Sequence, residues 1–171
     1  MNVLQVAGAL DESAEDTAVV AYREIADLVE AAKNAMPVTH VPTFLNVSRP
    51  MVAALIDLGL LTRIQDHNVL RSKIGKAIDG RSIQALLQKI KHTFPEVDDV
   101  PETHVALAKA AEKTHVQLKA ILELLFAGHL KSALRFKGEH RLGAVVVDPD
   151  EIRKVIATPP PGCPDVEVFA M

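Results

Sequence analysis

The chain has one cysteine, Cys163, in 171 residues, no tryptophan, and only 4% aromatic residues. A single thiol excludes an internal disulfide framework and a thiolate metal site, and it is compatible with a reducing cytosol. With so few aromatics, any core must be aliphatic, and the 49% of hydrophobic residues is enough to build one. No stretch approaches the roughly 20 apolar residues of a membrane helix. Met1-Asn2-Val3-Leu4 lacks the basic start and apolar run of a signal peptide. A cytoplasmic protein with no membrane partner is expected. No phosphate-cradling glycine loop, GxSxG elbow or HExxH helix occurs. The seven histidines, at positions 40, 67, 92, 104, 115, 129 and 140, show no zinc-like spacing. Neither catalysis nor a cofactor nor a metal is expected.

Basic charge is also short, since the net charge is −3. Its distribution is uneven. Residues 1–34 carry seven acids and two bases, whereas Ser48 to Lys91 carries eight bases and three acids, and Lys113 to Arg141 six bases and two acids. Nucleic-acid binding depends on a local basic face rather than on the total. Modest surpluses of this size are also found on ordinary solvated surfaces.

The stretch with most information is Val41 to Ile64. It reads as a short helix ending near Leu45, a tight turn at Asn46-Val47, and a second helix opened by Ser48 and closed by Gly59. Ser48 is a good N-cap, Pro50 suits a helix start, and Gly59 supplies the left-handed stop. Val52, Leu55, Ile56 and Leu60 recur at helical spacing. Two short helices around a tight turn suit the placing of the second one in a DNA major groove. A plain helical hairpin is the other reading.

A shift of 69 residues lays Val47 on Val116, Leu55 on Leu124, Gly59 on Gly128, Leu61 on Leu130, Asp79 on Asp148 and Ile83 on Ile152. Two copies are too few for a solenoid, so a tandem of small domains is expected. The boundaries are an acidic helical segment over 1–35, a first unit over 36–92, a linker over 93–103, a second unit over 104–157 and a proline-rich tail over 158–171. In the first segment Val20, Ile25, Leu28, Val29 and Ala32 form an apolar stripe over Thr17 to Ala35, expected to pack on the first unit; a dimer or partner helix is the alternative. The linker, with Pro95 and Pro101 around Glu96, Asp98 and Asp99, is expected to be a polar break without helix or core strand.

The string Leu45, Val47, Ser48, Val52, Leu55, Ile56, Gly59 and Leu61 resembles the winged helix-turn-helix of MerR-type regulators and excisionases. The tandem arrangement, over Val38 to Ala157, is similar to the C-terminal part of TniQ-family transposition proteins, although their usual N-terminal zinc-binding region has no counterpart here. The resemblance implies a mainly α fold with short β wings: two tandem winged helix-turn-helix domains after an N-terminal helix. It implies a non-catalytic DNA-binding protein, a transposition or recombination accessory or a transcriptional regulator. Implied partners are double-stranded DNA and, besides it, a second copy or a recombination or transposition protein.

On that reading Ser48, Arg49 and Met51 present the recognition end of the second helix, Arg49 reaching a guanine or a phosphate or remaining a solvated arginine. Arg63, Arg71 and Lys73 of the first wing suit the sugar–phosphate backbone, with Asp66-His67-Asn68 at its tip. In the second unit, Thr114 or His115 is expected to start the second helix, which carries Lys119. Lys131, Arg135, Lys137 and Arg141 surround a wing tip at Lys137-Gly138-Glu139-His140, where Glu139-His140 reads as solvated. Leu118, Ile121, Leu122, Leu124, Leu125 and Phe126 make this second helix unusually apolar. An alternative therefore stays open, a protein-interaction module built from degenerate repeats. An exposed Leu/Phe stripe around Phe126 would favour it; a continuous basic face through Arg49, Arg71, Lys73, Arg135 and Lys137 would disfavour it.

Overall fold

A computed structural model of the chain describes residues 17–23, 25–26, 29–30, 33–64 and 77–162. It is a mixed α/β structure, about 53% helical, with two small sheets. Helical residues 17–23, 25–26, 29–30 and 33 are termed α1. Then follow β1 (Met36–Pro37), α2 (Val41–Leu45), α3 (Arg49–Asp57), β2 (Ala77–Ile78) and α4 (Gly80–Thr93). The chain continues through β3 (Glu96–Val97), β4 (Val105–Ala106), α5 (Leu107–Thr114), α6 (Leu118–Phe126) and β5 (Leu134–Phe136). A 3-10 turn (Leu142–Ala144), β6 (Val145–Val147) and α7 (Pro149–Ala157) complete it.

The 69-residue correspondence extends to parts of the backbone. A shift of 69 residues carries Arg49–Asp57 onto Leu118–Phe126 end to end. It carries the antiparallel pairs Met36↔Ile78 and Pro37↔Ala77 onto Val105↔Val147 and Ala106↔Val146. The two non-glycine residues with positive φ, Asn46 (53°) and His115 (56°), occupy equivalent turns. Gly59 (72°) and Gly128 (83°) end the equivalent helices in the left-handed region, where a side chain is costly. Asp79 and Asp148 cap α4 and α7 alike, each carboxylate accepting from the N–H two residues on at 2.9 Å. One hydrogen bond keeps its place and changes its chemistry. The Thr62 N–H donates to the Ser82 hydroxyl at 3.0 Å, and the equivalent Lys131 N–H donates to the Glu151 carboxylate at 2.7 Å.

The two units do not hang from each other by a strand of chain. α3 packs against α6, and one apolar cluster includes Val41, Leu45, Leu55 and Ile78 together with Leu107, Ile121, Leu124 and Ile152. Each such aliphatic side chain contributes about 1.5–3 kcal/mol by leaving water. Equivalent second helices thus meet each other. Gly143 confirms how close the units lie: a Cβ there would stand 2.1 Å from the Asn46 carbonyl oxygen.

Several expectations are corrected. The polar break over 93–103 carries regular structure: Thr93 ends α4, Phe94 is buried, and β3 pairs in parallel with β5. It thereby extends the second sheet to four strands, in the order β3-β5-β6-β4. Helix α6 starts at Leu118 with Gln117 as N-cap, not at Thr114 or His115. Thr114 instead ends α5, its hydroxyl donating to the Ala110 carbonyl at 2.7 Å. Of the stripe on α1, the described residues Val20, Ile25 and Val29 are exposed, where packing on the first unit was expected. Residues 65–76 of the expected first wing, including Arg71, Lys73 and the tip 66–68, lie outside the described residues, as do residues 1–16, Leu28, Ala32 and Cys163. No helix among the described residues is long and apolar enough to cross a membrane.

Candidate interaction site

The second helices decide what surface is on offer. On α3 the apolar period puts Met51, Val52, Ala54 and Leu55 inside. Met51 is only 1% exposed, which corrects its place on the outer side. It lies one turn before Leu55, and that spacing turns it to the core. The exposed row is Arg49, Pro50, Ala53 and Asp57, one cation, one acid and two side chains without donors. The Ser48 hydroxyl accepts from the Met51 N–H at 3.4 Å and so serves the helix start. On α6, Ala120, Ile121, Leu122, Leu124 and Leu125 are all buried, so the helix is enclosed on most of its circumference. Lys119 is its exposed cation. Phe126 is half-buried, edge-on to Phe94 with centroids 6.0 Å apart and the Lys89 ammonium 5.5 Å from its ring centre. The exposed Leu/Phe stripe around Phe126 that would favour the protein-interaction alternative is therefore not present on α6.

The second wing is basic in sequence and largely neutralised in space. Arg135 is 3% exposed, where a phosphate contact was expected. Strand alternation turns it inward from β5 and leaves Phe136 outward, because β3 brings an acid to meet it. Its guanidinium pairs with Glu96 at 2.7 Å and donates to the Glu139 carbonyl at 3.0 Å; His140 Nδ1 lies 2.9 Å away. Two residues further on, just past the ends of β3 and β5, Lys137 pairs with Asp98 at 2.8 Å. Arg141 holds Glu139 through its Nε at 2.8 Å and its terminal nitrogen at 2.5 Å. That guanidinium, helped by backbone N–H groups, draws the Glu139 carboxyl down to about 2, and the pairing raises Arg141 in turn. Glu139 is thus a fixed partner of Arg141 rather than a solvated tip residue.

Arg49, Arg63, Lys119 and Lys131 remain exposed, with no side-chain ion pair among the described residues. Of the basic face expected through Arg49, Arg71, Lys73, Arg135 and Lys137, Arg135 is buried and Lys137 is paired, while Arg71 and Lys73 lie outside the described residues. Sequence reasoning missed the two ion pairs across β3 and β5. Their signal was present in the matched alternation of Glu96-Val97-Asp98 with Arg135-Phe136-Lys137.

Between α3 and the α5–α6 turn lies an open cleft of about 680 Å³, lined by Pro50, Ala53, Ala54 and Asp57, by Ala111 and Glu112, and by residues 115–119. Its floor is apolar, from Ala54, Val116 and the half-buried Leu118, with Asp57, Glu112 and Lys119 on its walls. Among the described residues no three His, Cys, Asp or Glu side chains gather to hold a metal. Comparison with family models, with curated proteins and with solved structures found no match to this chain.

Proposed function

We propose that the chain is a non-catalytic interaction module made of two winged helix-turn-helix repeats joined face to face through their second helices. Its principal ligand is another protein, received in the cleft between α3 and the α5–α6 turn. The observation that carries this reading is the use of the second helices: α6 is enclosed in the core, and the exposed row of α3 offers a single donor side chain, Arg49, beside Pro50, Ala53 and Asp57, where base readout draws on several. A cleft with an apolar floor and charged walls suits an apolar anchor flanked by polar contacts.

Duplex DNA is the second reading, favoured by the free cations Arg49, Arg63, Lys119 and Lys131. On this geometry it is backbone contact without base readout.

Fluorescence anisotropy on mixed duplex DNA at about 50 and 200 mM salt separates the two. The proposal expects dissociation constants no tighter than about 10⁻⁶ M at the higher salt, the range of non-specific binding. Nanomolar, sequence-dependent binding lost in Arg49→Ala would overturn it. A photo-crosslinking residue in place of Ala53, with one in place of Lys154 as control, supplies the positive arm. Protein adducts formed only from position 53 are expected, and equal labelling from both positions counts against the cleft.

A further inference from the structure

We propose that the second wing carries a proton-operated latch: the neutral His140 ring closes over the Arg135 guanidinium, and the protonated ring releases it. The latch begins with the burial of Arg135 on β5. Its Nη1 donates to the Glu139 carbonyl at 3.0 Å and stands 2.9 Å from His140 Nδ1. A guanidinium keeps its charge at every ordinary pH and has only N–H groups to offer. His140 Nδ1 must therefore accept, which places the ring proton on Nε2. Nη1 has two hydrogens, and these two acceptors use both. One of the acceptors, the imidazole, is a group that a proton can switch off.

Histidine is the side chain whose charge ordinarily changes between about pH 5 and 8. A second proton turns Nδ1 into a donor, so donor would face donor and two cations would share one site. The charged groups around the ring, among the described residues, are already committed. Glu96 of β3 is the counter-charge of Arg135, at 2.7 Å. Glu139 and Arg141, on the ring's own loop, hold each other, and Lys137 is turned to Asp98. Arg141 draws the Glu139 carboxyl down to about 2, so that pair persists while an imidazole charges. Glu139 also accepts from the His140 backbone N–H at 3.1 Å, which confines the movement to the ring. His140 is exposed and has water to turn into. The Arg135 Nε is buried without a hydrogen-bond partner, so its N–H reports when water reaches the guanidinium. On the acid side the wing gains an imidazolium and an uncovered arginine, where at neutral pH its cations are neutralised.

The test is nitrogen-15 NMR on the full chain from about pH 8 to about pH 5, with thermal unfolding recorded to verify that each variant keeps its fold. At the upper pH the His140 ring is expected in its Nε2–H form. As the ring charges, the Arg135 Nε–H is expected to lose its protection against exchange with water, measured relative to free arginine at each pH. His140→Gln supplies an acceptor that does not protonate in this range, and it should keep Arg135 protected throughout. His140→Lys supplies a permanent cation, and it should leave Arg135 unprotected even at the upper pH. A ring found in the Nδ1–H form overturns the proposal. So does an Arg135 that stays protected at the lower pH, or one that loses protection equally in His140→Gln. The outcome is independent of the cleft, because no residue of the second wing lines it.

Discussion

Helices α3 and α6 occupy equivalent places in the two repeats, have the same length, and end at equivalent left-handed glycines. Their side chains have opposite duties. Ala53 of α3 is exposed in the cleft; its equivalent, Leu122 of α6, is fully buried. Ser48 caps α3 through its hydroxyl, whereas Gln117 gives α6 no side-chain cap. Asp79 is paired with Arg81, which holds its carboxyl below the usual range; at the equivalent of Arg81 the second repeat has Asp150, which turns to Arg153. The lesson is that corresponding positions share backbone geometry and differ in side-chain environment. One repeat supplies surface and the other supplies core.

The sharpest way to break this comparison is at the equivalent pair itself. Leu122→Ala is expected to cost about 2–5 kcal/mol in urea-unfolding experiments, because it empties an enclosed site. Ala53→Leu is expected to stay within about 0.5 kcal/mol, as exposed positions do. Equal losses at both would mean that α3 is as enclosed as α6.

Next in size is the contact between the repeats. Gly143→Ala drives a methyl group into the Asn46 carbonyl, and calorimetry should show a loss of about 1–3 kcal/mol.

A smaller effect separates the two chemistries of the shared hydrogen bond. Glu151 accepts from the Lys131 and Ser132 N–H groups and from the Ser132 hydroxyl, so Glu151→Ala leaves several donors unmatched. A loss of about 1.5–3 kcal/mol is expected there, against about 0.5–1.5 for Ser82→Ala. Capping gives the smallest difference. Gln117→Ser should gain about 0.5–1 kcal/mol and Ser48→Ala should lose about as much, both read from thermal midpoints.

Acid titration tests the second wing by itself. The Glu139 carboxyl is depressed in the folded state, so its contribution is complete above about 4.5 and is lost as pH falls towards about 2. Arg141→Ala should remove that part of the acid dependence, and its persistence would show that another carboxyl is responsible.

Much of the backbone plan was legible in the sequence. Gly59 and Gly128, Asp79 and Asp148, and Val47 and Val116 recur at one interval because turns and caps tolerate few residue types. The faces were less legible. Met51 at a helix start looks exposed until the inward direction is fixed by what α3 packs against. Leu134-Arg135-Phe136 offers an alternation that permits either face inside, and only the neighbouring strand, with Glu96, decides for the arginine. Charge counted along the chain overstated the basic wing for the same reason. Acids distant in sequence were its neighbours in space. The stripe on α1 was read as packing on the first unit, but amphipathicity does not specify what a face meets, and Val20, Ile25 and Val29 are exposed.

The shared cluster behind α3 and α6 has a consequence for how the molecule comes apart. A repeat whose apolar side is finished by its twin has no private core to fall back on. Chain cut after residue 93 would therefore turn Leu55 and its neighbours to water. Amide hydrogens in both repeats should then exchange through one common opening rather than two independent ones. Occupation of the cleft, which draws its lining from α3 and from the α5–α6 turn, would slow that opening across the whole molecule. The duplicated chain is, in this sense, a single cooperative unit written twice.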